Sequence, residues 1–231
     1  MSKFCAVADL HGHLGFTIQE CDYLLVAGDI LPRSVQKDTE KSEVWIKEQL
    51  IPWAEKQPCR KVIFVAGNHD FYFEKSVEVF QGHEKIIFQE KDDYIVNLRD
   101  GTRILITPWC KPFGRWAFMK DIEEQKKLYE KYKDGKKVDI ILSHDAPYGT
   151  NDIIQDTNVF WYTPEHIGNK ALRDLILDLQ PVWNIHGHLH STKHEPEMLG
   201  DTKVVCCSIL GEDYTPQYEP FYFEYEKEIG I

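Results

Sequence analysis

The chain has 231 residues, 42% of them hydrophobic and 13% aromatic, with a formal net charge of −11, which is enough apolar material for one sizeable core over residues 1–231. The negative balance disfavours a surface built to hold long nucleic acid, because phosphate contacts need clustered Lys and Arg; a small phosphorylated substrate stays open, since bound cations reverse the local field. No run approaches the roughly 18 apolar residues needed to span a bilayer, Met1-Ser2-Lys3-Phe4 does not begin a signal-peptide pattern, and the six cysteines form no C-x-x-C pair, so a cytoplasmic setting without membrane attachment is expected.

Lys3 to Ala8 is a short apolar run ending in Asp9, the form of a buried strand. Tyr23 to Ala27 repeats it and ends in Gly28-Asp29. Val44, Ile46, Leu50, Ile51 and Ala54 recur at helical spacing within 39–57. Lys61 to Ala66 is a third strand, followed by Gly67-Asn68-His69-Asp70, and the run from Phe71 to Phe80 reads as a second short helix.

The middle of the chain changes character. Lys85 to Phe88, Tyr94 to Leu98 and Arg103 to Thr107 read as strands, with Asp100-Gly101 as a hairpin turn between the last two. Glu123 to Tyr132 is charge-dense and helical. Val138 to Leu142 is a strand ending in Ser143-His144-Asp145. Thr163-Pro164 predicts an N-cap and first-turn proline for a helix to about Leu179. Val182 to Ile185 then leads into His186-Gly187-His188-Leu189-His190, where extended-chain alternation would put His188 and His190 on one side. Lys203 to Ser208 and Phe221 to Tyr225 close the chain as strands. Strands alternating with helices, then hairpins, predict an α/β protein with mixed sheets.

The polar residues are not scattered. Asp9, His11, Asp29, Asn68, His69, His144, His188 and His190 all fall at or just past the C-terminal ends of apolar strands, the edge where α/β sheets usually bind ligands. One aspartate after a strand is ordinarily a turn or cap; five strand ends carrying ligand-type residues are hard to read as turns. Carboxylate and amide oxygens with imidazole nitrogens suit Mn2+, Fe, Zn2+ or Ni2+ without choosing among them, Mn2+ being the ion expected, and a sulfur-rich zinc or copper site is excluded at these positions.

Asp9-x-His11, Gly28-Asp29, Gly67-Asn68-His69-Asp70, His144 and Gly187-His188-x-His190, in that order, resemble the calcineurin-like metallophosphoesterase superfamily. The resemblance implies two packed mixed sheets flanked by helices, an αββα sandwich, and a dinuclear metal centre. Asp9, His11, Asp29 and His190 match the ligands of one ion. Asp29, Asn68, His144 and His188 match those of the second, with Asp29 bridging. It also implies hydrolysis of a phosphomonoester or small phosphodiester by a metal-bridging hydroxide. His69 would stabilise the transition state or protonate the leaving group, with Asp70 orienting it and raising its pKa.

Two branches of the superfamily compete for the details. Arg33, four residues after Asp29, sits where a phosphatase-like branch places a phosphate-gripping arginine, although Pro32-Arg33-Ser34 departs from that branch's signature. Thr107-Pro108-Trp109 and His144-Asp145-Ala146-Pro147-Tyr148-Gly149 look more like small cyclic-nucleotide phosphodiesterases. His13 is a candidate substrate contact, and His186 reads as structural. Trp109, Phe113, Trp116, Phe160, Trp161 and Tyr162 would either line a pocket or pin loops to the core. A nuclease acting on nucleic-acid ends and a non-catalytic scaffold are the alternative readings.

Overall fold

The computed structural model describes residues 1–89, 93–158 and 165–227. Its first half is built from apolar runs that become parallel strands: β1 (Ser2–Val7), β2 (Tyr23–Ala27) and β3 (Lys61–Val65) are hydrogen-bonded neighbours. Strands covered on both faces need no polar alternation, which is why these runs are almost uninterrupted. Between β2 and β3 the chain makes one helical excursion: α1 (Thr39–Trp45), a π-helical stretch Ile46–Leu50, and α2 (Ile51–Lys56). Asp38 caps its start by accepting from the Lys41 N–H. The wide turn lies next to Pro52, which has no N–H to continue an ordinary helical ladder.

The helix expected over residues 71–80 does not form. That segment runs through successive turns to a single 3-10 turn, Glu78–Phe80. Its aromatics are recruited by the core instead: the Phe73 ring lies 4.3 Å from Phe88 and 5.7 Å from Phe80. β4 (Ile86–Phe88) completes the parallel set beside β3.

The second half supplies the other sheet. β5 (Tyr94–Asn97) and β6 (Arg103–Thr107) form the hairpin foreseen at Asp100-Gly101, with Gly101 at φ 84°. α3 (Ile122–Tyr129) follows, then β7 (Ile140–Ser143). α4 (Lys170–Leu179) begins later than the sequence suggests, because Asn169 accepts from the Ala171 and Leu172 N–H groups as its N-cap; Thr163-Pro164 lie outside the described residues. β8 (Trp183–His186), β9 (Glu197–Leu199), β10 (Thr202–Cys206) and β11 (Phe221–Tyr225) complete the chain; β9 has no clear signal in the sequence.

One sheet has the order β11-β1-β2-β3-β4 and the other β5-β6-β7-β8-β10-β9. Antiparallel β11 edges the first; antiparallel β5 and β9 edge the second. The apolar residues fall into three layers. Phe4, Leu25, Ile63 and Val65 meet Ile106, Leu142, Ile185 and Val205 between the sheets. Leu24, Val26 and Phe64 face Ile46, Leu50 and Ala54 of the helical excursion. Leu105, Ile141 and Val204 face Leu172, Leu175 and Ile176 of α4. Each such buried side chain contributes about 1.5–3 kcal/mol. The result is the expected arrangement of two mixed sheets between helices. No helix among the described residues is long and apolar enough to cross a membrane.

The two sheets are tied at one edge. Ala8 N–H donates to Cys207 O at 2.7 Å, and Ile209 N–H donates to Ala8 O at 3.1 Å. Gly187 N–H reaches His144 O at 3.1 Å. The C-terminal ends of β1, β2, β3, β7 and β8 therefore open onto a common place.

Candidate metal centre

Asp9, His11, Asp29, Asn68, His69, His144, His188 and His190 converge at that edge. Asp9, Asp29, His144 and Asn68 are nearly inaccessible to solvent. Asp9, His11, Asp29 and His188 hold left-handed backbone, φ 54°, 41°, 51° and 72°. Such conformations are uncommon outside glycine, although Asn, Asp and His adopt them more readily than other residues, and they persist where surrounding structure imposes them. Here the turns are pinned by Asp9 N–H to Gly28 O at 3.0 Å and His11 N–H to Asp29 O at 2.9 Å. Gly28, at φ 92°, has the His144 ring where a Cβ would stand.

Asp29 sits at the centre. Its Oδ1 lies 3.3 Å from His144 Nε2 and accepts the His69 N–H at 2.8 Å. Its Oδ2 lies 3.7 Å from His11 Nε2 and 3.9 Å from His69 Nε2. The two oxygens of one carboxylate thus face different members of the cluster. His144 donates from Nδ1 to Ala27 O at 2.9 Å, so Nε2 points at Asn68 Oδ1, 3.0 Å away. His190 likewise gives Nδ1–H to Gly211 O at 2.9 Å and turns Nε2 towards Asp9 Oδ1 at 3.6 Å. Backbone carbonyls fix which nitrogen each ring presents, the usual support for a ligating histidine.

His188 does not reach the site by strand alternation. β8 ends at His186, and Leu189 N–H bonding to Gly187 O makes a tight turn at 188. His188 N–H is bound by both Asp9 oxygens, at 3.1 and 3.0 Å, and its ring lies 5.1 Å from that of His144.

The electrostatics show a site short of positive charge. Burial opposes ionisation of Asp9, but the neighbouring His190 outweighs it and holds the carboxyl down at about 2. Burial similarly opposes the charging of His144 and His190, yet the Asp29 and Asp9 carboxylates push them up to about 10 and about 9. His11 and His188 go the other way, to about 4 and about 3, chiefly through burial. Both ring nitrogens of His11 are buried without a hydrogen-bond partner among the described residues, a costly arrangement unless something accepts their lone pair.

Among the described residues the donor sets are Asp9–His11–His190, His11–Asp29–His69, Asp9–Asp29–His144 and Cys110–His144–His188, each with donor atoms within 4.8 Å of one another. Two carboxylates that draw protons onto imidazoles, and an imidazole with nothing to bond, fit divalent cations. The first set contains only residues expected at one ion, while Asp9–Asp29–His144 joins Asp9, expected at that ion, to Asp29 and His144, expected at the other. Cys110 is absent from the sequence-based list, because nothing in its neighbourhood of residues resembles a thiol metal motif.

One expectation about the flanking residues needs correction. Asp70 does not touch the His69 ring. Its carboxylate accepts the N–H groups of Ile30, Leu31 and Gly67 at 2.8–2.9 Å. The His69 Nδ1 instead bonds Gln36 Oε1 at 2.7 Å. Burial lowers the His69 pKa rather than a partner raising it, and burial together with Asp29 lifts Asp70 to about 7. His13, the candidate substrate contact, stacks on Phe16 with ring centroids 6.4 Å apart.

Arg33 lies at the margin. Its guanidinium covers the Tyr214 ring at 4.0 Å, and that ring stands 4.9 Å from His11 and 5.3 Å from His190. Trp116 lies 4.4 Å from His69 and Phe113 lies 5.2 Å from His188, whereas Trp109 packs on Phe118. Phe160, Trp161 and Tyr162 lie outside the described residues. His186 is wholly buried within β8 and outside the donor sets.

A family model described as calcineurin-like phosphoesterase matches residues 2–192. A solved structure of TT1561 from Thermus thermophilus shares 16% identity and a TM-score of 0.56, over 89% of this chain and 88% of its own. A further crystal structure superposes with a TM-score of 0.64 at 16% identity, over 88% of this chain and 89% of the other. These two likenesses show the fold. "Probable rhamnogalacturonate lyase C" of Emericella nidulans is 24% identical over 199 residues; the match takes in 81% of this chain but only 17% of that protein's length.

Proposed function

The chain belongs to the calcineurin-like phosphoesterase family, and from that premise we propose that it hydrolyses a small phosphomonoester or phosphodiester with two divalent cations. The observation that carries this reading is the split of Asp29, whose Oδ2 faces His11 while Oδ1 faces His144. Asp9, His11, Asp29 and His190 would hold one ion, and Asp29, Asn68, His144 and His188 the other, with Mn2+ the first choice. When bound, the pair supplies an activated water at neutral pH and neutralises charge on the phosphoryl oxygens.

The chain's own residues do the rest. His69 gives its Nδ1–H to Gln36, which leaves Nε2 facing Asp29 and the open side of the cluster. That nitrogen is unprotonated in the neutral ring; it would take a proton from solvent as the phosphate's negative charge enters the site, and pass it to the leaving oxygen. Trp116 packs on the same ring and limits its rotation. Arg33, held over Tyr214, offers a guanidinium to a phosphate entering beside His11.

The test is a substrate panel with added Mn2+: aryl phosphate, bis-aryl phosphate, cyclic nucleotides and single-stranded DNA. Turnover of an aryl mono- or diester is expected, with His11→Ala and Asn68→Ala losing metal and activity together. Active protein holding less than one metal per chain after Mn2+ reconstitution would overturn the dinuclear reading.

A further inference from the structure

One member of the cluster belongs to no ligand set assigned so far. Cys110 is fully buried just beyond β6, in the loop that leads to α3. Its Sγ, with a ring nitrogen of His144 and one of His188, forms a group whose donor atoms all lie within 4.8 Å of one another. His144 keeps Nδ1 for Ala27 O, so the nitrogen it can offer there is Nε2, the same one that faces Asn68 and Asp29. The thiol therefore shares a point with two of the residues assigned to the second ion, His144 and His188.

The loop is built to hold it. Cys110 N–H donates to Phe118 O at 2.9 Å, and Cys110 O accepts from Lys120 N–H at 3.0 Å and Gln125 Nε2 at 3.1 Å. The next residue is fastened to the His144 loop, since Lys111 N–H donates to Asp145 Oδ2 at 3.0 Å. Thus the backbone carrying Cys110 and the backbone carrying His144 are joined directly. The sulfur itself has only a long contact, 3.9 Å to Pro108 O. A donor fixed on every side by backbone bonds, yet barely engaged at its own atom, is preorganised for something else.

We propose that Cys110 is a sulfur ligand of the second metal position, completing a set with Asp29, Asn68, His144 and His188. The assignment rests on the metal-dependent reading above. Binding converts the thiol to a thiolate on the ion and releases its proton to solvent. A sulfur donor makes that position softer than the all-oxygen-and-nitrogen position of Asp9, His11, Asp29 and His190. The two positions then differ in taste: the second favours Zn2+, Fe2+ or Co2+, while the first accepts Mn2+. The sequence excludes a sulfur-rich zinc or copper site at the strand-end positions, and Cys110, which lies outside them, would add a single sulfur.

Co2+ reports its ligands by colour, independently of turnover. Wild-type protein loaded with two equivalents of Co2+ should show visible d–d bands together with a near-ultraviolet thiolate-to-Co2+ charge-transfer band. Cys110→Ser should lose the charge-transfer band while keeping the d–d bands and the bound cobalt. His11→Ala, which weakens the first position, should keep the charge-transfer band. Wild type that binds Co2+ with d–d bands alone overturns the sulfur assignment and leaves the metal centre standing. A charge-transfer band that survives in Cys110→Ser overturns it as well, by tracing the band to another thiol. Protein that takes up no Co2+ removes the metal centre and the assignment with it. If the serine variant folds poorly, Cys110→Ala traces the band in its place, and a wild-type spectrum without the band overturns the assignment by itself.

Discussion

His69 is held by an amide and an indole, and its chemistry follows from that pairing. Gln36 Oε1 can only accept, so it fixes the proton on Nδ1 and leaves Nε2 towards the cluster. His69→Ala should leave the metals bound and slow turnover by roughly 10²–10⁴-fold, with a smaller loss for a nitrophenyl leaving group that needs no protonation. Metal analysis beside the kinetics checks this, and loss of metal would make His69 a ligand. Gln36→Ala removes only the hydrogen bond that orients the ring, so its kcat should fall about 2–10-fold, as for a contact of about 0.5–1.5 kcal/mol. Arg33, in the role proposed above, would divide the substrate classes. A monoester carries up to two negative charges and a diester one. Arg33→Ala should cost monoester kcat/KM about 1.5–3 kcal/mol more than diester kcat/KM. Equal losses on both would reduce Arg33 to the cover of Tyr214.

At the scale of elements, the site is a set of loops that must be held against one another. Asp70 is the tie. Its carboxylate, at the end of the turn after β3, takes N–H groups from Ile30 and Leu31 after β2 and from Gly67 in its own turn. The loops bearing Asp29 and Asn68 therefore share one buried anchor. Asp70→Asn keeps the volume but turns an acceptor of three donors into a mixed group, leaving donors unsatisfied at about 1–3 kcal/mol. A lower midpoint in urea unfolding of metal-free protein is expected, with weaker metal uptake. A variant with unchanged stability but a shifted pH profile of turnover would instead restore Asp70 as the partner of His69. The same dependence on tertiary fastening explains why residues 71–80 are not helical. Phe73 and Phe80 contribute more by packing on Phe88 than a short isolated helix gains from its own hydrogen bonds.

For the molecule as a whole, the buried imidazoles outside and inside the site set a limit on acid stability. His186 donates from Nδ1 to Gly187 O at 3.0 Å, while its Nε2 is buried with no partner among the described residues. Burial depresses its pKa from 6.5 to about 4. The unfolded chain then binds a proton that the folded chain refuses, so stability is full above about pH 6.5 and falls as pH drops towards 4. The loss from this one group reaches up to about 3 kcal/mol. Urea unfolding of metal-free protein at pH 7 and pH 4.5 should show a smaller drop for His186→Asn than for wild type. Equal drops would mean that His186 finds an acceptor for its second proton.

How much was legible in the sequence follows from which forces are local. The apolar runs, the hairpin at Asp100-Gly101 and the placing of Asp9, Asp29, Asn68 and His144 just past strand ends depend on residue type and spacing alone, so an α/β protein with mixed sheets and the edge that carries the site were already legible, while the αββα sandwich came from the family resemblance. The match of the whole ordered set to one family was likewise written in the chain. Only tertiary structure decided the partners. Gln36 reaches His69 across 33 residues and Tyr214 reaches His11 from the far end of the chain. Cys110 meets His144 because β6 and β7 are parallel neighbours that end together. Such contacts are fixed by how sheets stack and loops fold back, and neighbours along the chain exert no force that would reveal them.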